Sequence, residues 1–271
     1  MDVEELAERT RQAITGTRWS VNWVPTTGST NADLLAAAGA AEPAGAVLIA
    51  EHQGAGRGRL DRTWVAPEGS SLLMSVLLRP SLPPTAAHLS GVAVALAAEH
   101  ACASVTGVAP GLKWPNDLVI GSADASRKVG GVLSESLLVD GEVAAVVVGI
   151  GLNVNWPADL PADLVGVATS LNAHVANGAD IDRVGLLAAV LIELDSLVDL
   201  LDSPQGRSRL LDEYRRRCVT IGARVRVEMA DMTTEGTATA VDDDGHLVVT
   251  DDDGIALVVA VGDVIHLRPV V

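Results

Sequence analysis

The 271-residue sequence has no phenylalanine, a single tyrosine (Tyr214) and only two cysteines, Cys102 and Cys218. Without Phe, a core must be packed from branched aliphatics, and each of the five tryptophans carries weight. The 48% of apolar residues suffice for one large domain, or one domain plus a small one. Two isolated thiols, neither with a Cys or His at ligand spacing, argue against a disulfide framework or a zinc site and point to a reducing, cytoplasmic compartment. Basic residues are scarce too: 19 Lys and Arg stand against 35 Asp and Glu, a net charge of −16. Nucleic-acid binding needs a basic stripe to neutralise phosphates, and none is visible, so no nucleic-acid partner is expected. An apolar signal core is missing, and no apolar run reads as reaching the roughly 18–20 residues that span a bilayer, so no membrane is expected either.

What is present reads as an α+β chain. Residues 1–14 suggest a short charged helix, followed by a polar stretch holding Trp19 and Trp23. Ser29-Thr30-Asn31 precedes an Ala/Leu run, the pattern of a helix N-cap. Residues 46–50 and 72–78 are apolar runs of strand length, and 85–104 is an Ala-rich helix suited to lying flat on a sheet. Segments 129–138 and 143–150 form a hairpin with Asp140-Gly141 as its turn. Two more helices span 184–201 and 207–217, the latter ending in Arg215-Arg216-Arg217, which reads as a solvated helix end. The order lacks strand–helix alternation, so a mixed, largely antiparallel sheet with helices packed on it is expected over residues 1–217. From 218 to 271 the segments become short and β-rich (224–228, 236–241, 246–250 and 255–261), as in a small barrel. Asp242 to Gly245 and Asp251 to Gly254 do not fit a calcium loop, because Ala240 or Val249 would stand at its first ligand position; they read as hairpin turns.

Two constellations carry chemistry. Gly54, Gly56 and Gly58 interleave with Arg57 and Arg59 directly after a buried strand, and Arg62-Thr63-Trp64 follows. Alternating glycines let backbone close over a ligand, and three guanidiniums supply forked donors for phosphate or carboxylate. A plain solvated loop is hard to reconcile with so acidic a chain. No Gly-Lys-Ser/Thr follows, so this is not a Walker loop, and Val154 breaks a dinucleotide fingerprint at Gly149-Ile150-Gly151. The second constellation is Lys113-Trp114-Pro115-Asn116-Asp117 followed by Lys128-Val129-Gly130-Gly131. Alone it reads more readily as an ordinary turn with a strand-start lysine than as a site.

Together with Ser29-Thr30-Asn31 and Gly151-Leu152-Asn153, these motifs resemble, in order and spacing, the biotin–protein ligase family. The 218–271 segment is similar to that family's SH3-like barrel. The resemblance implies a class II synthetase-like catalytic domain and two half-reactions. Biotin and ATP, the substrates, give biotinoyl-AMP and pyrophosphate with Mg²⁺; biotin then passes to a lysine on the carrier domain of a carboxylase, the expected partner. It also implies roles. Ser29, Thr30, Asn31 and Gln53 would read the ureido ring, and Gly56, Gly58, Gly131 and Leu133 would line the biotin pocket. Arg57, Arg59 and Lys128 would be catalytic, with Lys128 bridging carboxylate and α-phosphate. Arg62, Trp64, Lys113, Asn116, Asp117 and Asn153 would face the nucleotide, with Asn153 on adenine and Trp64 closing over the intermediate. Mg²⁺ would be held mainly by phosphates and water, Asp117 being a weak candidate ligand. Asp61 departs from the family's usual glycine, placing a negative charge among the arginines. Only some twenty-five residues precede the Ser29 motif, too few for the DNA-binding domain of repressor-type members, so that role is not expected. Two alternatives remain: a lipoate ligase, whose substrate has no urea for Ser29, Thr30 and Asn31 to read, and a non-catalytic biotin-binding regulator, which would not need both Arg59 and Lys128.

Overall fold

The computed structural model describes residues 2–60, 62–121, 125–159, 164–229, 232–260 and 262–267. Asp61 lies outside them. The chain opens with helix α1 (Val3–Ala13), strand β1 (Ser20–Thr27), helix α2 (Thr30–Gly39) and strands β2 (Ala46–Gln53) and β3 (Ser71–Leu78). Helix α3 (Leu89–Thr106), strands β4 (Gly111–Lys113), β5 (Asp117–Ile120), β6 (Arg127–Val139) and β7 (Glu142–Asn153), and helices α4 (Arg183–Val198) and α5 (Pro204–Arg217) follow. Five strands end it: β8 (Arg224–Glu228), β9 (Thr233–Val241), β10 (Leu247–Thr250), β11 (Ala256–Val259) and β12 (Asp263–His266).

The first seven strands form one sheet in the order β1-β2-β3-β7-β6-β5-β4. Only β1 and β2 run parallel, and every other pair is antiparallel. The mixed, largely antiparallel α+β architecture expected from the sequence is therefore present. Alternation assigns the two faces. Val47 and Ile49 of β2 join the main core with α1, α3 and α4, whereas Ala46 and Leu48 join a smaller cluster under Leu34 and Ala38 of α2. Strand β3, covered on both sides, is buried throughout. Asp140 and Gly141 both take positive φ (53° and 82°), as a two-residue β6–β7 hairpin requires.

Several sequence expectations need correction. The polar stretch after Trp19 is the edge strand β1, and the buried indoles of Trp19, just ahead of it, and Trp23, within it, donate their N–H groups to Leu191 O (2.7 Å) and Glu51 Oε1 (2.8 Å). The Trp114-Pro115-Asn116 turn separates two short strands, β4 and β5, that no periodicity announced. Residues Pro84–Thr106 do reach the length and hydropathy of a membrane span, but 67% of that apolar window is buried inside the fold.

The last five strands form an antiparallel sheet in the order β11-β10-β9-β8-β12. The two acidic tetrapeptides are hairpin turns, as expected. Asp242 Oδ1 accepts the N–H groups of Asp244 and His246, and Asp251 Oδ1 those of Asp253 and Ile255. The first turn docks onto the rest of the chain. Arg215 donates to Val241 O, Asp242 O and Asp243 Oδ1 at 2.6–2.7 Å, and the Trp114 indole donates to Gly245 O at 3.0 Å. Arg215 is thus a half-buried clamp, not a solvated helix end.

Candidate active site

One cavity of about 860 Å³, counted with its open mouth, lies where the loop after β2 folds over β6 and β7. Its walls bring together Ser29, Thr30, Asn31, Gln53, Arg57, Gly58, Arg59, Arg62, Trp64, Asn116, Asp117, Lys128, Gly131 and Leu133. These residues come from four separate stretches of sequence, within 29–31, 53–64, 116–117 and 128–133. Gly56, Lys113 and Asn153 were expected there and do not line it.

The loop is folded, not splayed. Gly58 N donates to Arg62 O (2.7 Å) and Trp64 N to Gly56 O (2.9 Å), which closes the loop as a small hairpin. Gly56 is needed for that closure, since a Cβ there would sit 2.5 Å from Trp64 O. Trp64 then rests on a floor of glycines. A Cβ on Gly151 would lie 2.4 Å from its ring, and one on Gly131 3.1 Å. Large side chains at either position would leave the indole no seat, so the paired glycines of β6 and β7 serve packing in place of chain flexibility. The Trp64 Nε1–H is buried with no acceptor among the described residues.

The two ends of the cavity differ in chemistry. One is neutral: Ser29, Thr30 and Asn31 at the start of α2 are each at most 5% exposed, and Gln53 Oε1 accepts the Thr30 N–H at 2.8 Å. The other is charged. Lys128 Nζ sits 2.6 Å from Asp117 Oδ1 and 5.3 Å from the Trp64 ring centroid, close enough for a cation–π contact. Arg59 reaches only long contacts, Asn116 Oδ1 at 3.3 Å and Gly262 O at 3.4 Å. Burial holds its guanidinium below the usual arginine range, against the opposing pull of Asp263 and Asp117. Arg62 is hydrogen-bonded to Asp263, which raises its pKa. Asp263 belongs to β12, so the C-terminal sheet supplies a wall residue that sequence inspection missed.

The three displaced residues have visible reasons. Asn153 follows Gly149 and Gly151 on one face of β7, but the 168–170 segment covers it: its Nδ2 donates to Thr169 O (2.9 Å) and it is 2% exposed. Lys113 sits opposite Asp117 in the β4–β5 pairing, and burial depresses its pKa more than Asp117 and Asp263 raise it. Gly56 shapes the loop from behind.

Among the described residues, oxygen donors for a divalent cation are sparse. The two carboxylates that line the cavity there, Asp117 and Asp263, are each paired with a cation. That fits an ion brought in on phosphates better than one held by a protein cage.

A cation-lined cavity beside a neutral polar end suits a ligase that activates a carboxylic acid on a phosphate. Residues 24–153 match the biotin/lipoate A/B protein ligase family, and residues 220–267 match the biotin protein ligase C-terminal domain. A biotin–acetyl-CoA-carboxylase ligase of Mycobacterium tuberculosis is 38% identical over 262 residues, covering 93% of this chain and 91% of its own. The bifunctional ligase/repressor BirA of Bacillus subtilis is 34% identical over 219 residues, 79% of this chain and 64% of that one. The biotin protein ligase of Aquifex aeolicus, solved with biotin and ATP, superposes with a TM-score of 0.76 at 25% identity, over 92% of this chain and 99% of that one. The chain belongs to the biotin protein ligase family.

Proposed function

We propose that this chain is an ATP-dependent biotin–protein ligase. It joins the biotin carboxylate to the α-phosphate of ATP, releasing pyrophosphate, and transfers biotin from the adenylate to a lysine on a carboxylase's carrier domain. One observation carries the reading: Lys128 lines the same cavity as the neutral end and the arginine loop, aligned by Asp117 at 2.6 Å. A carboxylate attacking a phosphate brings two anions together, and a cation fixed at their meeting point offsets the repulsion in the transition state. Arg59, under-partnered and half-buried, is free to take phosphate oxygens. The unpartnered Trp64 N–H is a further donor available to the adenylate. Mg²⁺ bound with the nucleotide would neutralise the leaving pyrophosphate. The mixed anhydride is water-sensitive, so a loop that folds over it also protects it.

The neutral end favours biotin over lipoate. An uncharged urea needs neutral donors and acceptors, which Ser29, Thr30, Asn31 and Gln53 supply, whereas a dithiolane has no N–H or C=O to bond with them. In this reading residues 1–217 are the catalytic domain and 218–271 a small SH3-like β domain, and the enzyme works in the cytoplasm, in keeping with its two free thiols. The test is pyrophosphate release with ATP, Mg²⁺ and biotin, run beside Lys128→Ala and a lipoate control. Biotin-dependent release that falls at least 100-fold in the variant supports the assignment. Equal release in the variant, or release with lipoate alone, overturns it.

A further inference from the structure

Two residues outside the cavity wall, Glu135 on β6 and Ser75 on β3, bond to the neutral end without facing its space. We propose that they are positioning residues that set which groups at the urea-reading end donate and which accept. This rests on the biotin reading above.

The Glu135 carboxylate accepts and cannot donate. Its Oε2 lies 2.9 Å from Asn31 Nδ2, and the second Nδ2 hydrogen goes to Leu133 O at 3.1 Å. With two acceptors on that side, the Asn31 amide is fixed with Oδ1 turned the other way. Oδ1 meets Ser75 Oγ at 2.6 Å, and an amide oxygen accepts, so Ser75 donates. The one hydroxyl hydrogen of Ser75 is then spent, and in its 2.7 Å contact with Thr30 Oγ1 it must accept. The Thr30 hydrogen is spent in turn. It is shared with Gln53 Oε1, to which Thr30 Oγ1 also donates at 3.2 Å, so towards the cavity Thr30 Oγ1 offers lone pairs. Gln53 Oε1 already holds the Thr30 N–H, which turns Gln53 Nε2, a donor, away from that bond. The result is an acceptor at Thr30 and a donor at Gln53, matching the N–H and C=O of a urea.

The seat of Asn31 is built for this. It is 4% exposed, and a Cβ on Gly149 would fall 2.2 Å from its Oδ1, so only glycine at that point of β7 admits the amide. Glu135 is also tied to the loop through Arg57 at 2.6 Å, which holds the carboxylate in place beside Asn31. That pair is substantially solvated, so its contribution is to geometry more than to stability.

The test measures pyrophosphate release by the full chain with biotin and with the cyclic guanidine analogue of biotin, in which a donor replaces the urea carbonyl. Glu135→Ala and Ser75→Ala are expected to raise KM for biotin about tenfold, equivalent to about 1.4 kcal/mol. In both, kcat and KM for ATP stay within about twofold, and the preference for biotin over the guanidine falls about tenfold or more. Glu135→Gln keeps an acceptor for Asn31 and is expected to recover most of the loss. An active wild type whose variants keep its KM and preference overturns this inference alone. So does a Glu135→Gln no better than Ala, or a loss shared equally by kcat and the ATP KM. A wild type without biotin-dependent release overturns the ligase reading and this inference with it.

Discussion

Replacing Gly151 with alanine adds one methyl group where there is no room. Its carbon would lie 2.4 Å from Trp64 Cε2 and 2.7 Å from Nε1. One side has to yield. Gly151 is paired with Leu73 and Gly131 in the middle of the seven-stranded sheet. Trp64 hangs on a loop whose ion pairs, Arg57–Glu135 and Arg62–Asp263, are partly solvated and worth about 0.2–1 kcal/mol each. The loop is the softer partner, so an overpacking strain of about 1–3 kcal/mol is relieved by lifting Trp64 off its floor. That shifts the closed–open balance of the loop by about 5–150-fold. Trypsin reads the change directly, because Arg57, Arg59 and Arg62 are cleavable only when the loop opens, and cleavage follows the open population when opening is fast. Gly151→Ala is expected to raise cleavage in the loop by that factor and to raise KM for ATP, with the thermal midpoint nearly unchanged. The reasoning is refuted if cleavage stays at the wild-type rate while the midpoint drops by about 2–4 °C for each kcal/mol of strain. The sheet would then have absorbed the methyl, and Trp64 would not rest on Gly151.

Arg215→Ala removes the three hydrogen bonds that hold the β9–β10 turn, about 1.5–3 kcal/mol for bonds from a charged donor at a half-buried site. A calorimetric midpoint lowered by roughly 3–10 °C is expected, and an unchanged one would return Arg215 to the solvated helix end that its sequence suggests. Burial pushes the Cys102 thiol up to about 12 and raises that of Cys218 as well, so neither forms thiolate near pH 8. An Ellman-type titration should therefore find no reactive thiol in the native protein and two after denaturation; rapid native labelling of either would contradict the packing around it.

The parts of the fold that were legible are those in which one local rule decides the outcome. Continuous apolar runs announced β2 and β3, Asp140-Gly141 the β6–β7 hairpin, and Ser29 the start of α2, where it does cap the helix by accepting from Ala32 N. The loop was legible because glycines and arginines so concentrated have few uses in an acidic chain. Strand β1 was not, because an edge strand paired on one side only carries polar residues that mask its period. Strands β4 and β5, of three and four residues, are too short for any period to register. Glu135 and Ser75 look like ordinary strand residues, and their meaning arises only from neighbours 104 and 44 positions away. For Asn153 and Lys113 the motif named the residue, but which neighbour covers each is a tertiary fact.

The C-terminal sheet meets the cavity by two routes. Asp263 and the carbonyl of Gly262 take Arg62 and Arg59 of the loop. The Asp242 to Gly245 turn takes the Trp114 indole, and Thr220 Oγ1 accepts the Trp114 N–H at 3.0 Å. Trp114 begins the segment that carries Asn116 and Asp117, the partners of Arg59 and Lys128. The loop and this segment are about fifty residues apart in sequence and follow well-separated strands of the sheet, yet catalysis requires their charges to be placed relative to one another within a fraction of an ångström. Each is bonded to the same third body. A chain ending at Arg217 would keep every side chain proposed to touch biotin or ATP and lose the frame that holds them in register.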